Sequence, residues 1–184
     1  MSKHIEKVRE LFAKSPVVDI SSIERVAGKK YAKLLVSKMR GEIYRVTKGC
    51  YSKEDDPSLA VLCFSPAYLG LQSAMSFHGL WEQETIPIII TSRKVRTGLR
   101  EIFDTNVLVR RSEHIFGYEF YLDGKFYLPY SDIEKTLIDM VLFKERLDAS
   151  VLDGFMKRLD RKRLDRYLRR YPGAVARQVR AIFK

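Results

Sequence analysis

The sequence predicts an α+β protein in two parts: a winged helix-turn-helix over residues 1–56, then an α+β domain with a small sheet and several helices over 57–184. Three observations support that reading. The N-terminal residues hold an ordered run of three helical stretches and a hairpin. A polar segment containing Asp55-Asp56-Pro57 then interrupts the apolar pattern. Beyond it, strand-like apolar runs and a hairpin signal give way to helical periodicity that lasts to the end of the chain.

Ile5, Val8, Leu11 and Phe12 recur at helical spacing, and Ser15-Pro16 ends that first helix. Ser21-Ser22-Ile23-Glu24 is a capping box in which Ser21 caps and Glu24 returns the bond. The short helix that it opens stops near Ala27-Gly28. A third helix spans Lys29 to Met39, with Gly41 as its C-terminal glycine. Ile43 to Val46, a Thr47-Lys48-Gly49 turn and Cys50 to Ser52 form a short hairpin. The polar connector from Lys53 to Ser58 marks the domain boundary.

In the second part, Ala60 to Phe64 reads as a short buried strand, and Ser65-Pro66 as the start of a helix that closes at Gly79. Ile86 to Thr91 and Asn106 to Arg111 read as strands. Ile115 to Leu122 and Lys125 to Tyr130 form a hairpin across Asp123-Gly124. Ser131-Asp132-Ile133-Glu134 is a second capping box, opening a helix to Phe143. Residues 149–184 are helical segments broken at Asp160 and at Pro172-Gly173.

Composition narrows the function classes. No stretch approaches the ~20 consecutive apolar residues that span a bilayer, and Met1 to Phe12 mixes charged and apolar residues unlike a signal peptide. A cytoplasmic protein without a membrane partner is expected. Cys50 and Cys63 are the only cysteines, and His4, His78 and His114 are scattered, so neither a metal site nor a cofactor is expected. In an intracellular chain the two thiols are expected to stay reduced. Asn occurs once and Gln three times, a depletion reported in hyperthermophile proteins.

The net charge of +11 is unevenly spread. Over 1–53, Lys and Arg outnumber Asp and Glu 13 to 5, a net of +8. Over 54–143 they number 8 against 13, a net of −5, and over 144–184 they are again 13 to 5, a net of +8. Two basic ends flank an acidic middle, as a polyanion-binding chain requires.

At about 100° per residue, Tyr31, Ala32, Leu35 and Met39 share one side of the third helix. Lys29, Lys30, Lys33, Ser37 and Arg40 share another. One face packs on the preceding helices, and the other presents cations and a hydroxyl, as a helix in the major groove requires. An ordinary surface helix also carries a basic face, but here the neighbours decide. A capped short helix containing Ser22, a glycine turn, the basic helix and a hairpin bearing Arg45, Lys48 and Lys53 form an ordered set. Aromatic stacking platforms of the RNA-binding kind are not evident, so double-stranded DNA is the expected partner.

Three blocks carry a family resemblance: Gly41-Glu42-Ile43-Tyr44-Arg45 leading to Gly49-Cys50-Tyr51; Ser73-Ala74 through His78-Gly79-Leu80, followed by Pro87 and an apolar strand; and Ser131-Asp132-Ile133-Glu134-Lys135-Thr136-Leu137-Ile138-Asp139. In this order the chain resembles the AbiEi-type antitoxins, predicted transcriptional regulators of viral defence systems. The resemblance implies a winged domain that represses its own operon. It also implies a C-terminal domain that counters a nucleotidyltransferase toxin, the pair forming a type IV toxin–antitoxin system. Residues 144–184 lie outside the matching blocks.

A second basic cluster lies near the C-terminus. Leu164, Tyr167, Leu168 and Tyr171 share one side of a helix, and Lys162, Arg163, Arg166, Arg169 and Arg170 share another. Mutual repulsion among five cations costs stability unless an anionic partner offsets it, the alternative being a merely solvated face. No catalytic set is assigned. His78 with Glu82 lacks a nucleophile, Asp123-Gly124-Lys125 reads as a turn, and Asp132, Glu134 and Asp139 read as helix-start and helix-face acids. A nucleic-acid-processing, nuclease-like enzyme with an N-terminal DNA-binding domain is the alternative expectation.

Overall fold

The computed structural model describes residues 2–183. The first elements are α1 (Ser2–Lys14), β1 (Val17–Asp19), α2 (Ile20–Ala27), α3 (Lys29–Lys38), β2 (Tyr44–Thr47) and β3 (Cys50–Ser52). A 3-10 turn (Pro57–Leu59) leads into α4 (Ala60–Cys63), β4 (Ala67–Leu69), α5 (Gln72–Phe77) and β5 (Ile88–Thr91). Then come β6 (Gly98–Ile102), β7 (Thr105–Arg111), β8 (Tyr118–Asp123) and β9 (Phe126–Ser131). Four helices finish the chain: α6 (Ile133–Leu142), α7 (Ala149–Arg158), α8 (Arg161–Leu168) and α9 (Gly173–Ala181). The fold is mixed α+β, as expected.

The N-terminal elements enclose their own core of Val8, Phe12, Ile23, Ala32, Leu35 and Met39. Beside it β1, β3 and β2 form a small antiparallel sheet in that order. The larger sheet runs β6-β7-β5-β4-β9-β8 and mixes parallel with antiparallel pairs. Strand alternation divides its side chains between two layers. Tyr68, Ile88 and Ile90 face the layer built with α6 to α9. Leu69, Ile89, Val107, Val109 and Leu128 face the other, where Leu59, Val61 and Phe64 cover them. Val46 of β2 is buried in that second layer, so the hairpin rests on the body of the molecule. Each such aliphatic side chain contributes about 1.5–3 kcal/mol when withdrawn from water.

Several sequence-based expectations need correction. Residues 60–63 are helical, because the Asp56 side chain accepts the Ser58 N–H at 2.8 Å and Pro57 starts a turn that α4 continues. A short apolar run does not by itself distinguish a buried strand from a buried helix. The helix expected from Ser65 to Gly79 is instead β4 followed by the shorter α5. Residues 67–69 sit mid-sheet, buried on both faces, and satisfy their backbone by pairing with β5 and β9. Strands β1 and β6 had not been expected. In the β8–β9 hairpin Asp123 pairs with Phe126, so the turn residues are Gly124-Lys125, one later than expected.

Both capping boxes are displaced. Asp19, not Ser21, caps α2 by accepting from the Ser22 N–H at 2.8 Å. Asp132, not Ser131, caps α6, and Glu134 accepts the Asp160 N–H at 2.6 Å instead of returning to the cap. A carboxylate is the stronger acceptor for orphan helix N–H groups, and both sites had one at hand.

The cysteines are joined, not free: Cys50 and Cys63 form a disulfide with a Cα–Cα distance of 6.0 Å. The expectation of reduced thiols rested on spacing and compartment, which say nothing of the fold that lays β3 beside the end of α4. The 13-residue loop it closes contains the whole 53–58 connector.

Candidate nucleic-acid interface

Helix α3 turns Ala32 and Leu35 into the N-terminal core, and Met39 at its C-cap follows them. Tyr31 departs from the expected apolar side: it is 48% exposed and stacks at 6.4 Å on His4 of α1. Lys29, Lys30, Lys33, Ser37 and Arg40 are all exposed. Among the described residues Lys29, Lys30, Lys33 and Arg40 make no ion pair. Lys29 and Lys30 occupy the first turn, where no acid accompanies them. Cations at a helix N-terminus oppose its dipole, a cost that a bound anion offsets.

The hairpin brings further cations to the same side. Arg40 forms a bridge with Ile43, and from there β2 carries Tyr44 and Arg45 outward while Val46 points inward. Lys33, Val36, Ser37, Arg40, Ile43, Tyr44, Arg45 and Tyr51 line one groove of about 450 Å³. Its wall holds three cations and no carboxylate. Glu42, next in sequence to the groove residue Ile43, is engaged elsewhere: Arg9 of α1 donates to both of its oxygens, at 2.9 and 3.1 Å. That pairing holds the Glu42 carboxyl below the usual range, with Lys53 adding to the effect.

Not every expected contact residue reaches the groove. Ser22 lies at the start of α2, donating to Asp19 at 3.1 Å and accepting from Arg25 at 2.8 Å. Lys48 sits on the turn beyond the groove and lines a second cleft, and Lys53 is exposed on the connector. Sequence reasoning missed the aromatic part of the site. Tyr44 is 42% exposed and meets Phe103 edge-on at 6.0 Å, while Tyr51 lies in the same wall. Alternation marks Tyr51, between the buried Cys50 and Ser52, but not Tyr44, because β2 has a register irregularity that leaves Tyr44 and Arg45 both exposed.

The second cleft, about 620 Å³, separates the N-terminal elements from the larger sheet. Asp19, Lys48, Arg93 and Arg100 line it together with both cysteines. Arg93 donates to the Cys63 carbonyl at 2.8 Å, and Arg100 lies over the Phe64 ring at 5.2 Å.

The C-terminal basic face is less uniform than its sequence suggests. Arg163 turns toward Asp132 and Glu134, at 3.8 and 3.7 Å. Arg170 lies over Phe116 at 4.3 Å, and Arg166 lies over Tyr167 at 6.0 Å. Lys162, Arg166, Arg169 and Arg170 remain exposed.

The acids of the third resemblance block are structural partners in this fold. Asp132 accepts the Tyr167 O–H at 2.7 Å in addition to capping α6. Asp139 is fully buried, pairs with the equally buried Lys135, and accepts the Tyr68 O–H at 2.7 Å. Burial drives the Lys135 ammonium down and the Asp139 carboxyl up, and each charge opposes the other's shift. The His78 ring lies 2.7 Å from the Ser131 carbonyl. Among the described residues no group of three His, Cys, Asp or Glu side chains is placed to hold a metal ion. No described helix is long and apolar enough to cross a membrane.

No protein-family profile matches the chain, nor does any curated protein sequence. Among solved structures it is similar to the RV2827C protein from Mycobacterium tuberculosis, with a TM-score of 0.60 and 16% identity over 98% of this chain and 76% of that one. At that identity the likeness shows a shared fold.

Proposed function

We propose that the protein is a DNA-binding transcriptional regulator whose residues 1–56 act as a winged helix-turn-helix. In this reading α3 enters the major groove, and the β2–β3 hairpin lies on the adjacent backbone as the wing. The observation that carries it is the convergence of Lys33, Ser37, Arg40 and Arg45 on one carboxylate-free groove between helix and hairpin. Cations so placed meet phosphates, and Ser37 and Arg40 are suited to base edges. The resemblance to AbiEi-type antitoxins supports autoregulation and a nucleotidyltransferase toxin as functional partner. Residues 57–184 then form the antitoxin-like part.

Titration of the duplex upstream of the protein's own gene against a scrambled duplex of equal length tests the reading. Preferential binding with a steep inverse dependence on salt is the expected result. Equal affinity for both duplexes, or no salt dependence, overturns it.

The C-terminal face is testable separately. Changing Lys162, Arg166, Arg169 and Arg170 to Gln keeps their stems and removes their charge, so the fold should survive. The variant is expected to lose DNA affinity or rescue from the neighbouring toxin, and the assay that fails identifies the anionic partner. Normal behaviour in both assays means the face is only solvated.

A further inference from the structure

The Cys50–Cys63 bond sits where the proposed DNA-reading part meets the rest of the chain. Cys50 opens β3, immediately after the turn that carries Lys48, and Cys63 ends α4. The bond therefore fixes the turn end of the hairpin, where Cys50 pairs with Thr47, to a helix of the larger core. Without it, the hairpin is held there by Val46, by the edge-on contact of Tyr44 with Phe103, by the neighbouring β1 with its partly buried Val17, and by the 53–58 connector. That connector is ordered by few bonds among the described residues: Glu54 N–H to Ser52 Oγ, Ser58 N–H to the Asp56 side chain and Leu59 N–H to the Asp56 carbonyl, with an exposed Lys125–Glu54 pair at 3.5 Å.

The bond borders a cleft through Cys63, which is half-buried, whereas Cys50 is only 7% exposed, so Cys63 is the sulfur open to attack. Both cysteines line the cleft of about 620 Å³, which opens to solvent between the two parts. Three cations, Lys48, Arg93 and Arg100, share that cleft with one acid, Asp19. An excess of positive charge draws in an attacking thiolate and stabilises the thiolate that leaves.

We infer that Cys50–Cys63 is a reversible redox tie, closed in the DNA-binding-competent form and opened by a dithiol that enters this cleft. In the opening reaction one thiolate of the dithiol attacks a cystine sulfur and expels the other as thiolate. Its second thiol then displaces the mixed disulfide. Two electrons and two protons pass to Cys50 and Cys63, and the dithiol leaves as a cyclic disulfide. Opening removes the covalent clamp on the hairpin that carries Arg45 and Lys48, so that part of the surface must be ordered at the moment of binding. The DNA consequence rests on the function proposed above, but the opening itself does not.

Thiol titration is the first test. Protein purified without reductant and then unfolded should show no free thiols, whereas native protein treated with dithiothreitol beforehand should show two. Two thiols without treatment, or a bond that yields to dithiothreitol only after unfolding, overturns the inference. Hydrogen exchange is the second. Amides over 44–64 should exchange faster in the reduced protein and in the Cys50→Ser/Cys63→Ser variant, with little change in α6 to α9. Unchanged exchange means that the bond clamps nothing and overturns the inference. In the third test, reduced wild type and the double-Ser variant should bind the upstream duplex roughly three- to tenfold more weakly than oxidised wild type, the cost of lost pre-organisation. The double-Ser variant should also be indifferent to dithiothreitol. Equal binding by oxidised and reduced protein overturns the switch. If neither form binds the duplex, the function proposed above fails, and thiol titration and exchange alone decide whether the tie opens.

Discussion

Asp139→Ala is expected to lower the unfolding free energy by about 3–5 kcal/mol, the usual cost of leaving a buried charge without its partner. Lys135 and Asp139 are both fully enclosed, one helical turn apart on α6. The Lys135 ammonium donates to the Tyr68 hydroxyl at 2.6 Å and faces the rings of Tyr68, Phe116 and Tyr171. Truncating Asp139 strips the ammonium of its counter-ion and leaves the Tyr68 O–H without an acceptor. Urea denaturation followed by fluorescence measures the loss. Replacing the whole set, as Tyr68→Phe/Lys135→Met/Asp139→Leu, should cost much less, because no polar group is left stranded. A loss below about 1 kcal/mol for Asp139→Ala would show that water reaches the ammonium and relieves it.

Lys33→Ala/Arg40→Ala is expected to weaken binding to the upstream duplex about a hundredfold, since a charge-assisted contact is worth roughly 1.5 kcal/mol or more. Both residues are exposed and outside the core, so the melting temperature should stay within a degree or two of wild type. Salt dependence separates their roles. Each lost phosphate contact flattens the plot of log K against log salt by about 0.9, whereas a lost base contact relaxes sequence preference. Unchanged affinity and slope would remove this groove from the interface.

What could be read from the sequence follows the range of the interaction. Helices α1 to α3 and α6 to α9 announce themselves through local periodicity, and Asp160 and Pro172 mark breaks that the fold respects. The basic side of α3 was equally legible, because exposure on a helix follows from spacing alone. Tyr31 escaped that logic because α1 lies beside it and His4 covers its ring instead of the core. Residues 60–79 were misread because their state is set from afar. The apolar run 60–63 and Ala67–Leu69 look alike locally, and only pairing with Ile89, Ile90 and Tyr130 makes the second a strand. Glu134 and Asp139 read as helix-start and helix-face acids. Lys135, the ion-pair partner of Asp139, is only one turn away, but the burial of the two acids was not legible because it depends on Asp160 and Tyr68, which lie far away along the chain. The disulfide was hidden for the same reason.

The position of β4 has a consequence for how the chain folds. This strand lies mid-sheet, joined in parallel to β9 through Leu69 and Tyr130 and antiparallel to β5. Hairpins β6–β7 and β8–β9 close over short loops, so their entropic cost is met early. The β4–β9 junction must instead wait until the whole intervening chain has been gathered, and such non-local closure slows folding. Until it closes, β9 presents an unpaired apolar edge with Leu128 and Tyr130 uncovered, the kind of surface on which chains stick to one another. Refolding yield should therefore fall as protein concentration rises, even where the native protein is fully soluble.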